Sequence, residues 1–96
     1  MFSWDVRKAL KNHKKHGVDC EKAATLFADP EGLDWEDLDH SEIEPRWKRL
    51  ALSTRGRVLL AVYTLRRLKN GREAIRIISA RQASRKERKA YAGRGD

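Results

Sequence analysis

Apolar residues in the first third of the chain recur at helical spacing, and from Leu33 onward they alternate. Phe2 and Trp4 share one side of a short extended segment, Asp5 is placed to cap a helix, and Gly17 is placed to end it. Over residues 6 to 16, Val6, Ala9, Leu10 and His13 form the expected buried stripe, with Lys8, Lys11, Lys14 and Lys15 outside. Asp19 opens a second helix in which Cys20, Ala23, Ala24 and Phe27 repeat the spacing beside Leu26, until Asp29-Pro-Glu-Gly32 breaks it. The two helices read as an antiparallel hairpin. Leu33-Asp-Trp35 carries only a faint strand signal. Trp47 to Leu52 alternates around Leu50 and Leu52, Arg55-Gly56 turns the chain, and Val58 to Thr64 is apolar enough for a central strand. After a turn at Asn70-Gly71, Ile75, Ile77 and Ile78 form a β-branched strand interrupted by Arg76. Ser84 and Glu87 then make a capping box for a helix carrying Arg85, Lys86, Arg88 and Lys89, too polar all round to be core. The resulting order is β-α-α-β-β-β-α: an α+β fold with a small antiparallel sheet, the N-terminal helical hairpin packed on one face, and a short basic C-terminal helix.

Ninety-six residues suit a single domain over 1–96 with a modest core, since a chain of this size buries about two-thirds of its unfolded surface. Charge changes the picture more than size does. Lysine and arginine number 22 against 14 acidic residues, for a net +8. Residues 54–96 alone hold 13 basic and 3 acidic side chains, so the excess is C-terminal and points to an anionic partner such as nucleic acid. No stretch is long and apolar enough to span a membrane and no leader pattern opens the chain, so a cytoplasmic protein with no membrane association is expected. The single Cys20 reads as apolar filler, and no Cys/His spacing of the zinc type or other cofactor motif is present.

Ile75-Arg-Ile-Ile-Ser-Ala-Arg81, followed by a small residue, a hydroxyl cap and Arg85-Lys-Glu-Arg88, resembles the C-terminus of BrnT-type toxins. Phe2-Ser-Trp-Asp5, Lys15-His-Gly17, Glu21 to Asp29, Asp39-His-Ser-Glu42 and Ser53-Thr-Arg-Gly-Arg57 look like that family's other landmarks, in the right order over nearly the whole chain. Departures are Gln82 where a lysine is usual, Ala51 where a glycine is common, and a turn lengthened over Leu65 to Arg72. The resemblance implies a RelE-like fold. It further implies a metal-independent endoribonuclease, the toxin of a type II toxin-antitoxin pair, that arrests translation and growth until a small BrnA-type antitoxin neutralises it in a hetero-oligomer.

Such chemistry needs the ribose 2′-hydroxyl deprotonated, charge on the phosphate oxygens stabilised, and the 5′-oxygen protonated as it leaves. Arginine suits the middle task because its fork holds two phosphate oxygens. Arg76, a charge set inside an apolar strand, is the first candidate, with Arg81 at the strand-to-helix junction and Arg85 in the first helical turn to flank it. The plain alternative is that these arginines only keep an exposed sheet face soluble. His16, His40 and Glu42 are candidates for proton transfer. His16 also reads as a helix-ending residue, His40 as a residue ordering its loop, and Glu42 as a solvated carboxylate, while His13 reads as a core residue. RNA contacts are expected from Lys15, Arg55, Arg57, Arg85, Arg88, Lys89 and Tyr91, although packing of the last helix explains Tyr91 equally well. Trp4 reads as core, whereas Trp35 and Trp47 suit either core or base stacking. Eight acidic residues within 29–44 lack the spacing of a calcium loop, so no metal is expected there. The competing class is a noncatalytic basic nucleic-acid-binding module.

Overall fold

The computed structural model describes residues 1–41 and 43–93. Its elements are β1 (Phe2–Ser3), α1 (Val6–His16), α2 (Cys20–Ala24) with a 3₁₀ turn at Thr25–Ala28, β2 (Leu33–Glu36), a 3₁₀ turn at Leu38–His40, β3 (Trp47–Leu52), β4 (Val58–Arg67), β5 (Glu73–Gln82) and α3 (Arg85–Ala92). One five-stranded sheet runs in the order β1-β5-β4-β3-β2, antiparallel from β2 to β5. Leu33–Glu36 thus adds a strand to the expected order, and β1 is the one parallel neighbour, opposite Ile75 and Arg76. Residues 65–72 are not simply a longer turn: β4 runs on to Arg67 and β5 begins at Glu73, leaving only a tight connection in which Gly71 takes φ 81°.

One sheet face packs on the helices. Val18, Cys20, Ala23 and Leu26 meet Ala51, Leu59, Ala61, Ile77 and Ala80, with Trp4, Phe27 and Ile75 at the margin. Alanines at three sheet positions let the short α2 approach closely, so a small core closes around Leu26, Leu59 and Ile77. On the opposite face, α3 covers one end through Ala83 and Tyr91 on Leu50 and Leu60. The rest of that face is left open.

The first helix docks differently from its apolar stripe. Val6 and Leu10 are about two-thirds exposed, and the buried residue of α1 is Asn12. Its amide nitrogen donates to the Val18 and Ala80 carbonyls at 3.1 and 2.7 Å, while its oxygen accepts the Ala80 N–H at 3.1 Å. Because β1 ends after Ser3, the later part of β5 has no strand beyond it on that side, and Asn12 pairs the edge backbone as a neighbouring strand would. That bond rotates the helix, so His13, expected in the core, is exposed beside Asp19 at 3.3 Å.

Candidate active site on the open sheet face

Three features of the fold converge on this face. The first is a bulge. Val62 lies opposite Ser79 and Tyr63 opposite Ile77, so Ile78 is the extra residue in β5. The second is the end of β5: Ser84 accepts the Glu87 N–H and Glu87 accepts the Ser84 N–H, so the chain enters α3 through a full capping box. The third is the loop from β2 to β3. Its ends are clasped where Asp37 N–H donates to the Arg46 carbonyl at 2.7 Å, and where the Ser41 hydroxyl donates to the Asp37 carbonyl and accepts the Arg46 N–H. Thr64 of β4 ties the Pro45 carbonyl from below at 2.8 Å.

Together they shape a groove of about 280 Å³. Its floor is Leu60, Val62, Ile78 and Ser79, and its polar walls are Asp37, His40, Arg46, Lys48 and Arg81. The Asp37 carboxyl is buried, 6 % exposed, with Oδ2 3.0 Å from His40 Nδ1. That contact orients the exposed imidazole through Nδ1, and Nε2 is the ring nitrogen it leaves unengaged by Asp37. Arg81 is held bidentate by Glu87 at 2.7 and 2.9 Å, and this guanidinium, with the Ser84 amide and hydroxyl after it, pulls the Glu87 carboxyl down to about 2. The same bond raises Arg81 further above its ordinary value. Arg81 is therefore a fixed, permanently charged group at the groove wall, with its fork already engaged by Glu87 and one of its nitrogens also donating to the Gln82 carbonyl.

The remaining candidates fall elsewhere. Arg76 alternates with the buried Ile75 and Ile77 and so projects on the open face, yet it is not among the groove's lining residues. It lies toward β1 and, after the Lys8 and Arg7 amides, helps hold the Asp5 carboxyl below its ordinary value. His16 and Lys15 line a separate cleft with Lys8 and Lys11, on the α1 side of the same Ile78–Ser79 bulge. Arg55 and Arg57 line another, with Lys22, Ser53 and Gln82, at the end of the sheet. On α3, Arg85 and Lys89 are exposed and Arg88 donates to the Ala83 carbonyl at 2.8 Å. Tyr91 offers no face for a base: it is buried, and its hydroxyl donates to Asp29 at 2.5 Å. Glu42 lies outside the described residues. The sequence reading missed Asp37, Arg46 and Lys48. Lys48 was findable, because alternation with Leu50 puts it on the same face, and Asp37 stands one helical turn before His40; nothing in the pattern flags Arg46. Trp35, 39 % exposed, lies directly across from Lys48 and so shares its face. Among the described residues no group of three or more His, Cys, Asp or Glu side chains is placed to hold a metal.

Fold and groove define a small, basic α+β protein whose open sheet face carries a groove lined by Arg46, Lys48 and Arg81. A solved structure of the same shape is the crystal structure of the Brucella abortus ribonuclease toxin, BrnT, similar at a TM-score of 0.64 and 20 % identity over 88 % of this chain and 99 % of that one. The chain belongs to the BrnT family: residues 4–87 match the family model for the ribonuclease toxin, BrnT, of type II toxin-antitoxin systems. Among curated protein sequences none matches it. No helix among the described residues is long and apolar enough to cross a membrane.

Proposed function

We propose that this chain, a ribonuclease toxin by family, cuts RNA internally and without a metal ion in the open-face groove, and that a BrnA-type antitoxin silences it in a cytoplasmic hetero-oligomer. The observation that carries the reading is one juxtaposition: a histidine oriented by a buried carboxylate, facing the same groove as Arg46, Lys48 and Arg81. His40 Nε2 is the proton-transfer group. Arg81, Lys48 and Arg46 stabilise the charge that grows on the phosphate oxygens, a role that needs fixed donors more than strong ground-state binding. Trp35 takes a neighbouring base by stacking. His16, reaching the bulge from α1, is the candidate for the second proton transfer, and Arg76 extends the cationic face toward β1. Support for the metal-free route is this donor set, which supplies both charge and protons.

An antitoxin that neutralises such a site has to cover the groove or supply opposite charge, so RNA and antitoxin compete for the toxin. The noncatalytic alternative shares the charge but has no use for the Asp37–His40 pair. Digestion of a defined RNA by purified protein in excess EDTA separates the routes. Cleavage should persist and leave a 2′,3′-cyclic or 3′-phosphate with a free 5′-hydroxyl. Activity lost to chelator and restored by magnesium would overturn the metal-free reading.

A further inference from the structure

A second cationic cleft, of about 240 Å³, opens on the helix side of the sheet, away from the groove. Two separate parts of the chain bring charge to it: Lys22 from α2, and Arg55 and Arg57 from either side of Gly56 in the β3–β4 turn, where that glycine takes φ 81°. Ser53 and Gln82 add hydrogen-bonding groups. The Ser53 hydroxyl and backbone hold this turn through Arg57 N–H at 3.3 Å, Ser53 N–H to the Arg57 carbonyl at 2.8 Å and Gly56 N–H to the Ser53 carbonyl at 2.9 Å, so the two arginines leave a fixed turn. Both are exposed.

Its position gives it meaning. Gly17 lines this cleft, while the adjoining His16, with Lys15 and Lys11, lines the cleft beside Ile78 and Ser79. Ile78 and Ser79 in turn floor the groove of His40 and Lys48. From Gln82 back to Ser79 is three residues of strand, roughly 10 Å. The three clefts therefore follow one another around the edge of β5 beyond β1, over the part of α1 whose Asn12 pairs that edge. Each step along the way carries cations.

We propose that Lys22, Arg55 and Arg57 form a subsite for the backbone phosphates of single-stranded RNA flanking the cut, the strand passing around the β5 edge from this cleft to the groove. The assignment rests on the ribonuclease reading. It makes the protein a reader of strand length: a trinucleotide fills the groove alone, and a strand of about twelve nucleotides reaches both.

The test is the variant Arg55→Gln/Arg57→Gln, with Lys22→Gln as an independent second, each first shown to melt like wild type. For the longer strand KM should rise about tenfold in the double variant, while the trinucleotide is cut with unchanged KM and kcat. Binding of an uncleavable 2′-O-methyl strand of the longer length, followed by anisotropy, should lose about 1.4 from its log-log salt slope, two phosphates at roughly 0.7 each. Because that measurement needs no turnover, a protein that cut nothing would sink the ribonuclease reading and still leave the subsite testable. Equal effects on both lengths, or none on either, overturn the proposal. So does a double variant that binds RNA normally and loses an acidic protein partner instead.

Discussion

Glu87→Gln isolates one charge at the junction of β5 and α3. Glutamine keeps a carbonyl for the Ser84 N–H, so the capping box survives, whereas the ion pair with Arg81 does not. Arg81 first, and the Ser84 amide and hydroxyl after it, lower the Glu87 carboxyl from 4.5 to about 2. At 1.36 kcal/mol per unit that bounds the stabilisation near ~3 kcal/mol. Arg81 is 40 % exposed, however, and solvent screening of such a pair reduces it to about 1 to 2 kcal/mol. For a domain this small that corresponds to a fall in Tm of about 5 to 10 °C near neutral pH. The sign with pH is fixed by the direction of the shift. A carboxyl depressed on folding stabilises fully above its unfolded value of about 4.5, and that stabilisation is lost as pH falls toward 2. Melting followed by circular dichroism should therefore show a gap between wild type and variant that is full at neutral pH, shrinks below about pH 4.5 and falls to about a quarter of its size at about pH 2.5. A gap that stays constant across the range, or no gap at neutral pH, would refute the argument.

Asn12→Leu should cost about 2 to 4 kcal/mol, because it strands the Ala80 amide and carbonyl at a covered strand edge; a Tm loss under about 3 °C would contradict this. RNA affinity should fall steeply with salt, with a log-log slope near −3 if about four phosphates are neutralised, and a flat response would remove the electrostatic account.

Strands β3 to β5 and the caps at Asp5 and Ser84 were legible because each rests on a local rule: period-two apolar runs, an aspartate before a helix, Ser84 three residues before Glu87; Asp19, read by the same rule, stands before α2 but makes no side-chain capping hydrogen bond. The rotation of α1 was not. It depends on one polar side chain finding the unpaired backbone of a strand 68 positions away, and apolar periodicity carries no trace of that. Nor was the parallel placement of β1, since two residues make no pattern. At the site, Arg81 and His40 could be named from charge in unusual places, but their grouping could not. Lys48 and Arg46 reach the groove only because β3 lies beside β4 and the loop before it closes on itself. Tyr91 shows the opposite limit: its spacing suited a ligand face and a packing face alike, and the contact with Asp29 decides for packing.

The central claim, that the open-face groove is where RNA is cut, is tested most directly by the single-turnover cleavage rate of folded His40→Ala at saturating RNA, measured beside its RNA affinity. Loss of a proton-transfer group predicts a rate reduced about 100-fold or more with affinity changed by less than about threefold. A His40→Ala protein that melts like wild type and cuts at the wild-type rate would contradict the account, and would move the chemistry to His16 or Arg76 outside the groove.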